Sequence, residues 1–126
     1  MSLPPGFKVL LVDDNPLVLK LGRAIVEREG LSAFTASTWI DLNRELASQR
    51  PDLILMDINM PVMKGNRLSE LLKSKPSLSG VPIVLMSDLP EDSLQQMFAS
   101  SGADAWIRKP LTRDKIVSLV TKFSAA

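Results

Sequence analysis

Short runs of consecutive apolar residues alternate along this chain with stretches whose apolar positions recur every three or four residues. The first run, Lys8-Val9-Leu10-Leu11-Val12, is continuous rather than alternating, as expected of a strand buried on both faces. Asn15 then offers an N-cap with Pro16 at the first helical position, and the spacing predicts a helix to Glu29, stopped by Gly30. Ser32 to Ser37 reads as a weaker strand. Trp39, Leu42 and Leu46 fall on one face of a second helix ending near Arg50-Pro51. Asp52-Leu53-Ile54-Leu55-Met56 is the clearest strand of all. A loop with Met60-Pro61 and Gly65 leads to a third helix carrying Leu68, Leu71 and Leu72. Pro82 to Met86 reads as a fourth strand, its proline tolerable at the first position. Leu94, Met97 and Phe98 mark a fourth helix that Gly102 ends, and Ala105-Trp106-Ile107 a short edge strand. Ile116, Leu119, Val120 and Phe123 give a strict i, i+3, i+4, i+7 stripe on a last helix. Met1-Ser2-Leu3 is assigned no structural weight. Strand–helix alternation repeated five times implies an α/β fold, a parallel sheet covered by helices on both faces.

Composition narrows the chemistry. At 126 residues the chain suits one domain with its own core, and 15 Lys+Arg against 14 Asp+Glu leave a net charge of +1. No basic block or aromatic-basic stripe suggests direct nucleic-acid binding, and no apolar run or signal pattern suggests a membrane. Cysteine and histidine are both absent. Thiol chemistry and Ser-His-Asp catalysis are therefore excluded, and a metal would need oxygen ligands, favouring Mg²⁺, Mn²⁺ or Ca²⁺ over zinc. A reduced, cytoplasmic setting is compatible with this. Without histidine, the chain can enter phosphohistidine chemistry only as the acceptor.

The residues that remain lie where such a sheet collects function. Asp13-Asp14, Asp57, Ser87 and Lys109-Pro110 each follow an apolar run, and in parallel α/β sheets functional groups gather at the carboxyl ends of strands. Three carboxylates in one crevice are costly unless positive charge joins them, which suggests a divalent cation and a phosphoryl group. Each residue also has an ordinary reading. Asp13-Asp14 suits the positive end of a following helix, Ser87 a turn, and Lys109 a surface charge. No G-x-x-x-x-G-K-[ST] or G-x-G-x-x-G sequence offers another phosphate site.

Taken in order, Leu11-Val12-Asp13-Asp14, Asp52-Leu53-Ile54-Leu55-Met56-Asp57-Ile58-Asn59-Met60-Pro61 with Gly65, Ser87, Gly102-Ala103-Asp104-Ala105-Trp106 and Lys109-Pro110 resemble bacterial response-regulator receiver domains over nearly the whole chain. The resemblance implies a single receiver domain over residues 1–126, alone or excised from a longer multidomain protein. It implies a flavodoxin-like, doubly wound sheet of order 2-1-3-4-5. Asp57 would then be the phosphoacceptor. A carboxylate is already ionised at neutral pH and can attack phosphorus without a base. Mg²⁺ would be ligated by Asp14, Asp57 and the Asn59 backbone carbonyl, and through water by Asp13. Lys109 and the Ser87 hydroxyl would meet the phosphoryl oxygens. A histidine kinase or phosphotransfer protein would be the donor, and the domain would catalyse only its own phosphorylation and dephosphorylation. Ser87 and Trp106 would switch the surface of the fourth helix, fifth strand and last helix toward a downstream output domain or protein. Val12-Asp13-Asp14-Asn15-Pro16-Leu17 and Met60-Pro61-Val62-Met63 look rather like receivers attached to hybrid kinases, with a stand-alone regulator or the front half of a transcription factor as the open alternatives.

Departures from the family pattern open an alternative, a phosphorylation-independent interaction module. Trp106 stands where tyrosine or phenylalanine is commoner. Ala105 replaces an acid found in many dimerising receivers, which favours a monomer or weak homodimer. Asn59 and Leu89 would modulate the access of hydrolytic water. A Mg²⁺-dependent phosphohydrolase would need a cap segment for which the chain has no room. Asp88 stands where a small residue is usual, and a carboxylate within about 7 Å of the phosphoryl group would repel it by on the order of 1–2 kcal/mol. Asp88→Ala should therefore bind beryllofluoride more tightly in a fluorescence titration, and an unchanged affinity would remove Asp88 from the site.

Overall fold

Five parallel strands build one sheet in the computed structural model, in which residues 3–59 and 72–124 are described. In chain order the elements are β1 (Lys8–Val12), α1 (Pro16–Arg28), β2 (Ser32–Ala36), α2 (Trp39–Ser48), β3 (Leu53–Asp57), β4 (Ile83–Ser87), α3 (Glu91–Ala99), β5 (Ala105–Arg108) and α4 (Arg113–Ser124), with one 3-10 turn at Pro76–Leu78. Thus α3 and α4 are the fourth and last helices expected above. The strand order is β2-β1-β3-β4-β5, as the family resemblance implies. Met60-Pro61, Gly65, Leu68 and Leu71 lie outside the described residues, and Leu72 is fully buried.

Local chemistry sets the boundaries. The Asn15 side chain accepts from the Leu17 N–H, and Pro16, which has no N–H to satisfy, opens α1. Gly30 follows the helix at φ +80, a left-handed conformation that a side chain would strain. Thr38 caps α2 by accepting from the Asp41 N–H. The strands at Asp57 and Ser87 extend one residue beyond the apolar runs, because the ladder still pairs Asp57 with Met86 and Ser87 with Arg108.

Alternation along the strands divides the core in two. Val9, Leu11, Leu53, Leu55, Val84 and Met86 pack with α1 and α4 through Leu19, Val26, Ile116, Leu119 and Val120. Leu10, Val12, Ile54, Met56 and Ile83 pack on the other face with Leu42 and Leu72. Leu85 and Leu94 continue that second face toward Trp106. Leu3, expected to carry no structural weight, packs against the first cluster. At the amino ends of the strands, Asp52 accepts from the Lys8 N–H and Asp104 from the Ile83 N–H, both at 2.8 Å. Asp104 also pairs with the Lys73 ammonium.

Gly22 brings α1 unusually close to the sheet. A Cβ there would lie 3.0 Å from a Leu11 methyl and 3.0 Å from a Leu111 methyl. Leu111 directly follows the cis Lys109-Pro110 bond, so this contact seats the loop that carries Lys109. Gly22→Val should destabilise the fold by about 1–3 kcal/mol through overpacking, read as a lower urea midpoint. Gly22→Ala should cost less, because a helix-propensity gain of about 1 kcal/mol offsets the crowding.

Candidate functional site

The pleat that sorts the core also sorts the residues at the carboxyl edge. Asp13, Asp57 and Lys109 stand two positions beyond Leu11, Leu55 and Ile107, all on the face covered by α1 and α4. Ser87 stands two beyond Leu85 and so has the alternation of the opposite face, with Trp106. Backbone bonds beyond the strands hold these residues in register. The Asp13 N–H donates to the Ala36 carbonyl, the Ile58 N–H to Met86, and the Lys109 N–H to Ser87.

Carboxylate oxygens of Asp13, Asp14 and Asp57 lie within 4.8 Å of one another. Asp14 is exposed, whereas Asp13 and Asp57 are buried. The Lys109 ammonium is 2.7 Å from Asp13 Oδ2 and 3.7 Å from Asp57 Oδ1, its side chain only 11% exposed. One oxygen of each buried acid has a backbone donor: Asn15 N–H to Asp13 Oδ1 at 2.9 Å, and Asn59 N–H to Asp57 Oδ1 at 3.3 Å. The contact between Lys109 and Asp13 Oδ2 is an ion pair outside good hydrogen-bond angles, and that buried oxygen has no hydrogen-bond partner.

Three acids facing one ammonium shift the balance of ionisation. Burial raises the Asp57 carboxyl above its ordinary value of 3.8, and the Asp13 charge adds to this. Lys109 and the Asn59 N–H act the other way without cancelling it. For Lys109, burial alone would lower the ammonium, but the close ion pair with Asp13 and the charges of Asp57 and Asp88 together raise it above 10.5. Lys109 is therefore charged throughout the neutral range. An all-oxygen cluster, one of whose buried carboxylate oxygens accepts no hydrogen bond, is a fitting cradle for a hard divalent cation.

The other expected site residues sit around this centre. Ser87 is fully buried, and its Oγ accepts from the Leu89 N–H at 2.9 Å rather than meeting the acids. Trp106 is half-buried against the cluster of Ile58, Leu85 and Leu94. Asn59 is exposed next to Asp57, and Asp88 is exposed beside a cleft of about 260 Å³ that it shares with Lys109. Two cations were not foreseen in the sequence. Arg108 Nε donates to the Leu89 carbonyl at 3.0 Å, tethering the loop after β4 to β5. Lys115 Nζ donates to the carbonyls of Arg108 and Pro110, on either side of Lys109. Nothing in their spacing marks them, since their partners are backbone oxygens.

Comparisons with known proteins agree with this geometry. Residues 9–121 match the family model of the response regulator receiver domain. The chain is 26% identical over 115 residues to the polar-differentiation response regulator DivK of Brucella anthropi, covering 91% of this chain and 94% of that protein. A signal receiver domain of a histidine kinase from Syntrophus aciditrophicus is 30% identical, with a TM-score of 0.83 over 94% of this chain and 89% of that one. The receiver domain of the sensor histidine kinase PA1611 from Pseudomonas aeruginosa PAO1, described with a magnesium ion coordinated in its active-site cleft, is 23% identical with a TM-score of 0.85, covering 96% of this chain and 99% of that one.

The charge balance generates a pair of opposite expectations. Because the fold holds the Asp57 proton more tightly than the unfolded chain does, ionising Asp57 costs stability. That cost is absent well below pH 3.8 and is complete once the pH exceeds the raised folded value. In metal-free buffer at pH 7, Asp57→Asn should therefore stabilise the domain, the gain shrinking in acid. Lys109→Met leaves buried acids unbalanced and should destabilise it by on the order of 3 kcal/mol. Urea titrations across pH check both signs.

Proposed function

This chain belongs to the response regulator receiver domain family, and on that premise we propose that it accepts a phosphoryl group on Asp57 in a Mg²⁺-dependent reaction. Receiver domains of this kind work with histidine kinases and downstream partners in two-component systems. The observation that carries the proposal is the Lys109 ammonium lodged between Asp13 and Asp57 in a cluster of three acids.

Asp13, Asp14, Asp57 and the Asn59 backbone carbonyl would hold the cation, in keeping with the magnesium described in the PA1611 receiver. When bound, Mg²⁺ supplies the positive charge that offsets both the acids and the incoming phosphoryl oxygens. The Asp57 carboxylate attacks phosphorus, a P–O bond forms, and the P–N bond of the phosphohistidine breaks with its electron pair leaving on the imidazole. Lys109 lies within reach of an oxygen of the new acyl phosphate, and its raised ammonium keeps the proton that this contact needs. The reaction acts on the domain's own side chain, which makes it a signalling event rather than turnover of a separate substrate.

Phosphorylation adds about −1.5 to −2 charge and strong acceptor oxygens. Ser87 Oγ now accepts from Leu89, so its hydroxyl proton is free to be donated once the loop moves toward the phosphoryl group. Trp106, packed beside Leu85 and Leu94, would follow that movement and re-shape the surface of α3, β5 and α4 for a downstream partner.

Titration of Mg²⁺ should raise the thermal midpoint, the gain reaching about 2.7 kcal/mol at a hundred times the dissociation constant. Addition of beryllofluoride should then change Trp106 emission in a Trp39→Phe background, and Asp57→Ala should lose this second response. A domain that takes up no Mg²⁺ by calorimetry would overturn the assignment.

A further inference from the structure

Asp88 takes no part in the phosphoryl transfer described above, yet it lines the cleft beside Lys109. It lies in the bend immediately after β4, exposed, and lines the same cleft as Lys109. The residue that follows it, Leu89, is held at both its N–H and its carbonyl. Ser87 Oγ holds the Leu89 N–H at 2.9 Å, and Arg108 Nε holds the Leu89 carbonyl at 3.0 Å. Asp88 and Lys109 line one cleft of about 260 Å³, together with Asn15, Leu21 and Pro110. No ion pair involves Asp88 among the described residues, and its charge acts on Lys109 from across the cleft.

We propose that Asp88 is a specificity-determining charge at the mouth of the phosphoacceptor site, one that disfavours small, highly anionic phosphodonors. The inference rests on the reading of Asp57 as acceptor. An anionic donor must bring its phosphoryl oxygens toward Lys109 past an exposed carboxylate in the same cleft, and like charges brought together oppose approach. A protein donor escapes the penalty when a cationic side chain of its own meets Asp88 in the encounter complex, so one repulsive element rejects the small donor and rewards the matched partner. Leu21 and the neighbouring Leu17, exposed at 46% and 74%, give such a partner apolar surface beside the cleft. Asp88 is thus a positioning and selecting residue, not a catalytic one.

The test compares two small donors in Mg²⁺ buffer near pH 7. Acetyl phosphate is a dianion there; phosphoramidate carries less net negative charge. In each reaction an Asp57 oxygen forms a bond to phosphorus, and acetate or ammonia leaves with the electron pair of the broken bond. Phosphoprotein is followed by mass spectrometry and phosphate-affinity electrophoresis for the wild type, Asp88→Asn and Asp88→Glu. Asp88→Asn, which keeps the size and removes the charge, should accelerate acetyl phosphate by about three- to tenfold at low ionic strength. It should accelerate phosphoramidate distinctly less, and the salt dependence of the acetyl phosphate rate should flatten. Asp88→Glu should stay near the wild type. Equal acceleration with both donors would assign the effect to loop shape and overturn the proposal, as would unchanged rates. If Asp88→Asn does not fold, Asp88→Ser at this exposed position carries the same comparison. Labelling of neither wild type nor variant by either donor would instead strike the reading of Asp57 itself.

Discussion

Among the described residues, the Lys109 ammonium is the one positive charge paired with the buried acids Asp13 and Asp57. It lies 2.7 Å from Asp13 and 3.7 Å from Asp57, in a region where neither acid is well hydrated. Such an arrangement does not contribute much net stability, because desolvation offsets most of the attraction. Its value lies in geometry. The same lysine that balances the resting site is already beside the atom expected to carry a phosphoryl group, so little rearrangement is needed when the charge there grows.

Several independent features of the fold converge on that lysine. Gly22 lets α1 approach Leu111, the ladder bond from Lys109 N–H to Ser87 fixes the chain before it, and Lys115 grips the carbonyls on both sides. The loop after β4 is secured separately, by Ser87 and Arg108 acting on the two ends of Leu89. On the proposed function, signalling would therefore have two mechanical parts. One must stay rigid to keep the charges in place, and the other is held by single hydrogen bonds that can be exchanged.

Much of this was legible in the sequence because the relevant signals are local. The continuous apolar runs marked strands covered on both faces, and Asn15-Pro16 marked the start of α1. Strand order came only through family resemblance, since periodicity does not say which strands are neighbours. The acids and Lys109 were legible because each ends an apolar run, and the sheet then brings them together. The roles of Arg108 and Lys115 were not legible, because a side chain reaching a backbone carbonyl leaves no pattern in residue types. Ser87 shows a subtler limit. Its position at the end of β4 was plain, but the alternation that turns it from Asp57 toward Leu89 appears only with the strand register.

Asp52 and Asp104, at the opposite edge, show why carboxylates of one chemistry serve different ends in this molecule. Parallel strands all begin on one side and end on the other, so one rim of the sheet offers N–H groups and the other offers carbonyls. At the beginning rim Asp52 and Asp104 each find an amide donor at 2.8 Å and become quiet structural plugs. At the ending rim Asp13 and Asp57 each keep a single backbone donor, and Asp13 Oδ2 meets only the Lys109 ammonium, without a hydrogen bond. Directionality of the main chain, more than any special property of the side chains, thus separates the acids that seal the amino edge of this sheet from those gathered around Lys109 at its carboxyl edge.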